Sequence, residues 1–149
     1  MFQLEKQLCF VLYEASRATI AIYRPLLEEL GITYPQYLVL LILWERGTCS
    51  VKEIGQVLHL DSGTLSPLLK RLEAAGLITR QRRTNDERVV DISLTDTGHA
   101  LQERAASIPK QFVRALDFTF EEYRSLLTQL KQLMARLHTR ERSVARGEE

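Results

Sequence analysis

Between Val51 and Leu94 the apolar positions follow two helical rhythms and then a strand-like one. Val51, Ile54, Val57 and Leu58 recur at helical spacing, and Asp61-Ser62-Gly63 breaks the run with residues that bond their own backbone and favour turns and N-caps. Leu65, Leu68, Leu69 and Leu72 then make the buried stripe of a second helix, leaving Ser62, Thr64, Ser66, Lys70 and Arg71 on or near its other side. Gly76 is placed to end that helix in a left-handed conformation. Two short runs follow, Leu77 to Arg82 and Val89 to Leu94, joined by the turn-rich Arg83-Thr84-Asn85-Asp86-Glu87-Arg88. They predict a β-hairpin with a charged tip. Helix, tight turn, helix and hairpin together predict a winged helix-turn-helix.

The flanks are helical too. Leu4 to Leu30 reads as one long helix that is apolar on more than one face: Leu4, Leu8, Val11, Ala15, Ala18, Ile22 and Leu26 make one stripe, and Phe10, Tyr13, Ile20, Tyr23 and Leu27 lie off it. One small domain rarely buries so much of a single helix, so a partner subunit is the simplest cover. Gly31 stops this helix, Thr33-Tyr34-Pro35 starts the next, whose apolar body is Tyr37 to Trp44, and Gly47 closes it. Thr48 to Ser50 is a link able to pair with the hairpin. Beyond the wing, Thr95 caps a helix running through Leu101, Ala105, Ile108 and Phe112, with Pro109 as a kink or break. A last helix carries Phe120, Tyr123, Leu126, Leu127, Leu130, Leu133, Met134 and Leu137 on one face, as core or interface positions. The closing segment 138–149 has almost no apolar residues and is expected to fray.

Composition narrows the picture only slightly. A chain of 149 residues with 45% hydrophobic content suffices for one domain with a real core. Net charge is +1, so bulk electrostatics announces no nucleic-acid partner, and the argument rests on where the cations sit. Between Lys70 and Arg88 there are six Lys/Arg (Lys70, Arg71, Arg80, Arg82, Arg83, Arg88) against three acids. Short hydroxyl side chains that let a helix approach the major groove, with cations for phosphates beside them, suit DNA. The plain alternative is a solvated helix and hairpin with ordinary surface charge. No apolar run of about 18 residues and no signal peptide occurs. Cys9 and Cys49 lack metal-type spacing, so a cytoplasmic protein with reduced thiols is expected. His59, His99 and His138 stand singly, with no triad, metal cluster or Gly-rich phosphate loop. An enzyme is therefore poorly supported, and neither cofactor nor metal is expected.

The run from Leu60 to Gly98, LDSGTLSPLLKRLEAAGLITRQRRTNDERVVDISLTDTG, resembles the DNA-binding core of the MarR family of bacterial regulators. Asp86-Glu87-Arg88 matches the family's wing-tip Asp-x-Arg, which implies that Arg88 enters the minor groove while Asp86 steadies it. The resemblance implies operator DNA and a second copy of the chain as partners. It also implies a mainly α fold with a small β-hairpin, formed as one domain over 1–149. In that layout 50–94 is the winged helix-turn-helix, and 1–30 with 95–140 supply the dimerisation helices. The DNA-binding set expected on these grounds is Ser62, Thr64, Ser66, Lys70, Arg71, Arg82, Arg83, Asp86 and Arg88.

Cys9 separates the chain from a plain DNA binder. Its context, LEKQLCFVLYEASRA, resembles the start of the organic-hydroperoxide-sensing, OhrR-like branch of the family. There the matching cysteine is the oxidised thiol, and two tyrosines of the other subunit, matching Tyr23 and Tyr34, hydrogen-bond to it. Geometry agrees: the fourteen residues from Cys9 to Tyr23 span about 21 Å of straight helix, so only a partner's Tyr23 could reach the sulfur. Chemistry agrees as well, because a free thiol is mostly protonated at neutral pH and donors beside the sulfur favour the thiolate that attacks peroxide. Some members carry a resolving cysteine after the wing, but Gln111 to Phe118 contains none. The resemblance thus implies a one-cysteine route: sulfenic acid, then a mixed disulfide with a small thiol, or over-oxidation. Cys49 has no role in the resemblance and is expected to pack. Two rivals stay open, a regulator controlled by a small phenolic ligand at the subunit interface and a thiol peroxidase using Cys9.

Overall fold

A computed structural model describes residues 3–145 of the chain. The first helix, α1 (Leu8–Glu28), is shorter than the Leu4–Leu30 stretch predicted for it. Leu4–Lys6 forms a separate 3-10 turn, and Gln7 stands extended at φ −87°, ψ 116° with no side chain capping the junction. Neither Gly nor Pro marks that break, so an apolar count runs straight through it. At the far end the helix yields to a turn just before Gly31, which takes φ 69°, and the Ile32 N–H reaches back to the Leu27 carbonyl at 3.2 Å.

Helix α2 (Tyr34–Arg46) starts where predicted. The Thr33 N–H donates to Gln36 Oε1 at 2.8 Å, and Pro35 occupies the first turn, where its missing N–H leaves nothing unpaired. There follow β1 (Cys49–Ser50), α3 (Val51–Leu58), α4 (Ser62–Ala74), β2 (Ile78–Arg82) and β3 (Val90–Leu94). The strands form one antiparallel sheet in the order β1-β3-β2. Ile78 lies opposite Leu94 and Arg82 opposite Val90, while Cys49 and Ser50 pair with Ile92 and Asp91, so the link before α3 does join the hairpin.

The stretch from Thr95 through Phe112, expected to kink or break at Pro109, does break just before it, into α5 (Asp96–Ala105) and α6 (Ile108–Ala115). Pro109 explains the position of the break. A proline ring clashes with the carbonyl four residues earlier, here that of Ala105, the last residue of α5, and the proline itself is tolerated in the first turn of α6.

The chain divides after Ile108 into two compact units. In the first, Leu27, Leu40, Leu43, Ile54, Leu65, Leu69, Leu72, Ile78 and Ile92 are each no more than 1% exposed. One core therefore joins the end of α1 to α2, α3, α4 and the sheet. In the second, Thr119 and Glu122 form a reciprocal cap, with the Thr119 N–H donating to Glu122 Oε2 at 2.8 Å and the Glu122 N–H to Thr119 Oγ1 at 3.2 Å. This starts α7 (Phe120–Ala145). The segment expected to fray is helical through Ala145. Thr139 and Ser143 donate back to the carbonyls of Ala135 and Thr139, and Arg and Glu are good helix formers despite being polar. Residues 146–149 of that expectation lie outside the described residues. Among the described residues no helix is long and apolar enough to cross a membrane.

Candidate nucleic-acid interface and thiol site

The reading head is assembled by its turns. His59 adopts the left-handed conformation, φ 53°, at the end of α3, and the Leu60 N–H bonds the Gly55 carbonyl at 3.0 Å. A Cβ at position 55 would stand 2.8 Å from the Leu60 carbonyl oxygen, so this tight turn demands glycine there. At the other end of α3 the Ser50 N–H and hydroxyl both donate to Glu53 Oε2 at 2.7 Å. Those bonds, the hydroxyl's first, hold the Glu53 carboxyl below the usual range.

Asp61 caps α4. Its Oδ1 accepts from the Thr64 N–H at 2.9 Å and its Oδ2 from the Thr64 hydroxyl at 3.0 Å, and these two bonds keep the Asp61 carboxyl low. Leu65, Leu69 and Leu72 are buried and Leu68 is half-buried, as the stripe predicted. Ser62, Thr64, Lys70 and Arg71 are exposed and Ser66 is half-buried. The helix thus offers hydroxyls and cations to solvent, although the Thr64 hydroxyl is turned back to its cap.

At the wing tip the Val89 N–H bonds the Asp86 carbonyl at 2.9 Å, and the Asp86 carboxylate accepts the Arg88 backbone N–H at 3.1 Å. Asp86 therefore shapes the turn that carries Arg88. Arg82 reaches the Glu87 carbonyl at 3.2 Å. Arg83, expected among the DNA contacts, places Nε and Nη2 on Asp91 Oδ2 and Oδ1 at 2.7 and 2.8 Å. A cleft of about 600 Å³ runs between α3, α4 and the wing, and Glu53, Gln56, Ser66, Arg80, Arg83 and Arg88 line it.

Cys9 is exposed, in the first turn of α1, and Tyr23 lies on the same unbroken helix. The expected site residues Tyr23 and Tyr34, on different helices, come together with ring centroids 5.0 Å apart. Tyr37 extends the group, 6.0 Å from Tyr23 and 6.2 Å from Trp44. Burial, then the neighbouring Tyr34, pushes the Tyr37 phenol up. Trp44 Nε1 in turn donates to the Gly98 carbonyl at 2.9 Å. Around Gly98 the chain is tight: a Cβ there would sit 2.1 Å from the Leu77 carbonyl oxygen, while the Thr95 hydroxyl donates to the Gly76 carbonyl at 2.6 Å. The tyrosine pair is thereby linked, ring by ring, to the junction where α4 ends and α5 begins. Reading the sequence missed Tyr37, Trp44, Gly98 and Asp91. Only glycines within helical patterns, at 55 and 98, signalled a close approach.

Cys49 is buried, donates to the Gly47 carbonyl at 3.6 Å, and its thiol is pushed up chiefly by that burial, so packing suits it. Among the described residues no group of His, Cys, Asp and Glu could hold a metal ion.

A helix-turn-helix beside a basic three-stranded wing defines a winged-helix protein. Residues 32–90 match the MarR family model. The chain is 51% identical over 136 residues to the organic hydroperoxide resistance transcriptional regulator of Bacillus subtilis, covering 91% of this chain and 92% of that protein. It is 50% identical to the transcriptional regulator TtmR of Methylorubrum extorquens, over 92% of this chain and 70% of the other. Among solved structures it resembles reduced AbfR bound to DNA, a Staphylococcus epidermidis protein, at 40% identity and TM-score 0.75, over 90% of this chain and 94% of that one. The chain belongs to the MarR family of transcriptional regulators.

Proposed function

We propose that this protein is a homodimeric repressor that binds operator DNA through its winged helix-turn-helix and releases it when an organic hydroperoxide oxidises Cys9. What carries the reading is the pairing of Tyr23 with Tyr34 on one face, while an exposed Cys9 sits on the same helix as Tyr23 but out of its reach. Two chains arranged head to tail along their first helices would bring each pair of phenols to the other chain's thiol. Apolar surface supports the dimer: Leu4 and Leu8 are each 62% exposed and Val11 48% on the N-terminal segment, and Phe120, Met134 and Leu137 are open on α7. The relatives' names fit, since one regulates organic hydroperoxide resistance and another is solved on DNA in its reduced form.

In this reading Ser62, Thr64 and Ser66 face the major groove, Lys70, Arg71 and Arg82 neutralise phosphates, and Arg88 enters the minor groove from a turn set by Asp86. The Cys9 thiolate attacks the peroxide, breaking its O–O bond to leave a sulfenate and release the alcohol, and the sulfenate takes a proton from solvent to become the sulfenic acid. A small thiol then displaces water to give the mixed disulfide. A group bulkier than the thiolate between the subunits shifts the two reading heads off their fixed spacing on DNA.

A second reading has its own support. A pocket of about 310 Å³, lined by Ile20, Arg24, Thr33 and Tyr34 among others, could seat a small phenolic ligand. Titrating the DNA complex with cumene hydroperoxide in one arm and salicylate in the other separates the two. Release by peroxide alone supports the sensor, and release by salicylate alone replaces it with the ligand-controlled regulator. Catalytic consumption of peroxide in the presence of a thiol reductant would instead indicate a peroxidase.

A further inference from the structure

The wing carries four arginines, and the structure does not treat them alike. Arg80 and Arg83 are held in ion pairs, Arg80 with Glu73 at 2.8 Å and Arg83 with Asp91 at 2.7 Å. Arg82 donates to the Glu87 backbone carbonyl, and Arg88 lines the cleft beside α4. The Arg83 pair is two-pronged, with parallel N–H donors on both carboxylate oxygens, which is the strongest arrangement open to a guanidinium.

We infer that Arg83 serves DNA binding by positioning the wing, held by Asp91, and does not itself neutralise a phosphate; this rests on the DNA-binding reading above. Asp91 sits in the central strand, opposite Gln81 on one side and Ser50 on the other, on the face away from the buried Ile92. Arg83 is the first residue past β2, and its own N–H closes the hairpin on the Val89 carbonyl at 3.0 Å. Its side chain therefore folds back over the sheet from the point where the wing leaves it. The Asp91 hydrogen bonds are the largest stabilising influence on the guanidinium, and the Glu53 carboxylate, fixed at the start of α3, adds a weaker negative field. Through Asp91, which lies opposite Ser50, the root of the wing is tied across β3 to β1. With Nε and Nη2 both on Asp91 the pair carries little net charge toward a phosphate, and a phosphate that drew the guanidinium away would leave the Asp91 carboxylate facing a polyanion, which opposes binding. Exposed ion pairs contribute little to folding stability, so the consequence of this one lies in how far the wing's charge reaches.

Salt dependence of DNA binding reads that charge directly, because each phosphate neutralised adds about 0.9 to the slope of log K against log salt. The measurement uses full-length dimer, a duplex selected in vitro by the wild-type protein, and a shuffled duplex of the same composition. Arg83→Gln should bind the selected duplex several-fold more weakly with the wild-type slope. Asp91→Asn should steepen the slope by roughly one per subunit, tighten binding to the shuffled duplex and reduce discrimination between the two. The double variant Arg83→Gln/Asp91→Asn should return to the wild-type slope. A shallower slope for Arg83→Gln, by about one per subunit, would show that Arg83 touches phosphate and overturn the inference. A double variant as steep as Asp91→Asn would overturn it too, by assigning the effect to the lost carboxylate itself. If Asp91→Asn fails to fold by circular dichroism, Arg83→Gln decides. A wild-type protein that selects no duplex sinks the DNA-binding reading itself, a different failure from either.

Discussion

The segment from α2 to β3 and the helix α1 are both rich in apolar residues, yet they spend them in opposite ways. In the reading head the predicted stripes close on one another: Leu40, Leu43, Ile54, Leu65, Leu69 and Leu72 are buried within a single chain. In α1 only Leu27 is buried, while Leu8, Val11, Tyr13 and Ile20 remain exposed. The same kind of residue therefore does different work. In the head it fixes one fold, and in the first two-thirds of α1 it marks surface that one chain does not cover. In the proposed dimer this division would let a rigid reader be moved as a body by changes at the subunit interface.

Truncating the core should have the largest effect. Leu40→Ala should cost about 2–5 kcal/mol, measured by denaturant unfolding, and the loss should be the same at every protein concentration above that of dimer dissociation. If a second chain covers them, as proposed, Leu8→Ala and Val11→Ala should lose stability mainly on dilution. Equal, concentration-independent losses for both kinds of variant would erase the contrast. Sedimentation adds a direct check, and a well-folded monomer at micromolar concentration would remove the basis for a cross-subunit thiol site.

Next in size is the wing tip. Arg88→Ala should weaken operator binding by about 1–3 kcal/mol without altering the melting temperature. Operator affinity unchanged from wild type would refute the minor-groove assignment. The smallest effect on DNA binding should come from Tyr23→Phe and Tyr34→Phe, which keep the 5.0 Å ring pair and lose only hydroxyls. They should bind operator normally and respond to peroxide slowly. A wild-type response rate in both would make the tyrosines mere packing.

How much of this was legible follows from the same contrast. The head could be read because each signal has its answer nearby: Asp61 caps its own helix through Thr64, Gly76 turns at φ 70°, and the leucine stripe of α4 meets a core built by adjacent segments. The break at Gln7 was hidden, since an extended residue between a 3-10 turn and a helix carries no mark of composition. Helix through Ala145 was hidden for the opposite reason, as polarity signals lack of burial and not lack of helix. At the site, Cys9, Tyr23 and Tyr34 could be picked out only through the family resemblance, because even the 5.0 Å approach of Tyr23 to Tyr34 depends on how helices pack. The Arg83–Asp91 pair was invisible because it depends on strand register and on one rotamer.

The central claim is that Cys9, remote from the reading head, controls it. The direct measurement is operator binding by wild type, Cys9→Ser and Cys49→Ser, each before and after cumene hydroperoxide. Wild type and Cys49→Ser should lose affinity on oxidation, roughly a hundredfold if the shift of the heads costs the bound form about 2.7 kcal/mol, while Cys9→Ser binds and stays bound. Release of Cys9→Ser by the hydroperoxide as readily as wild type would contradict the account.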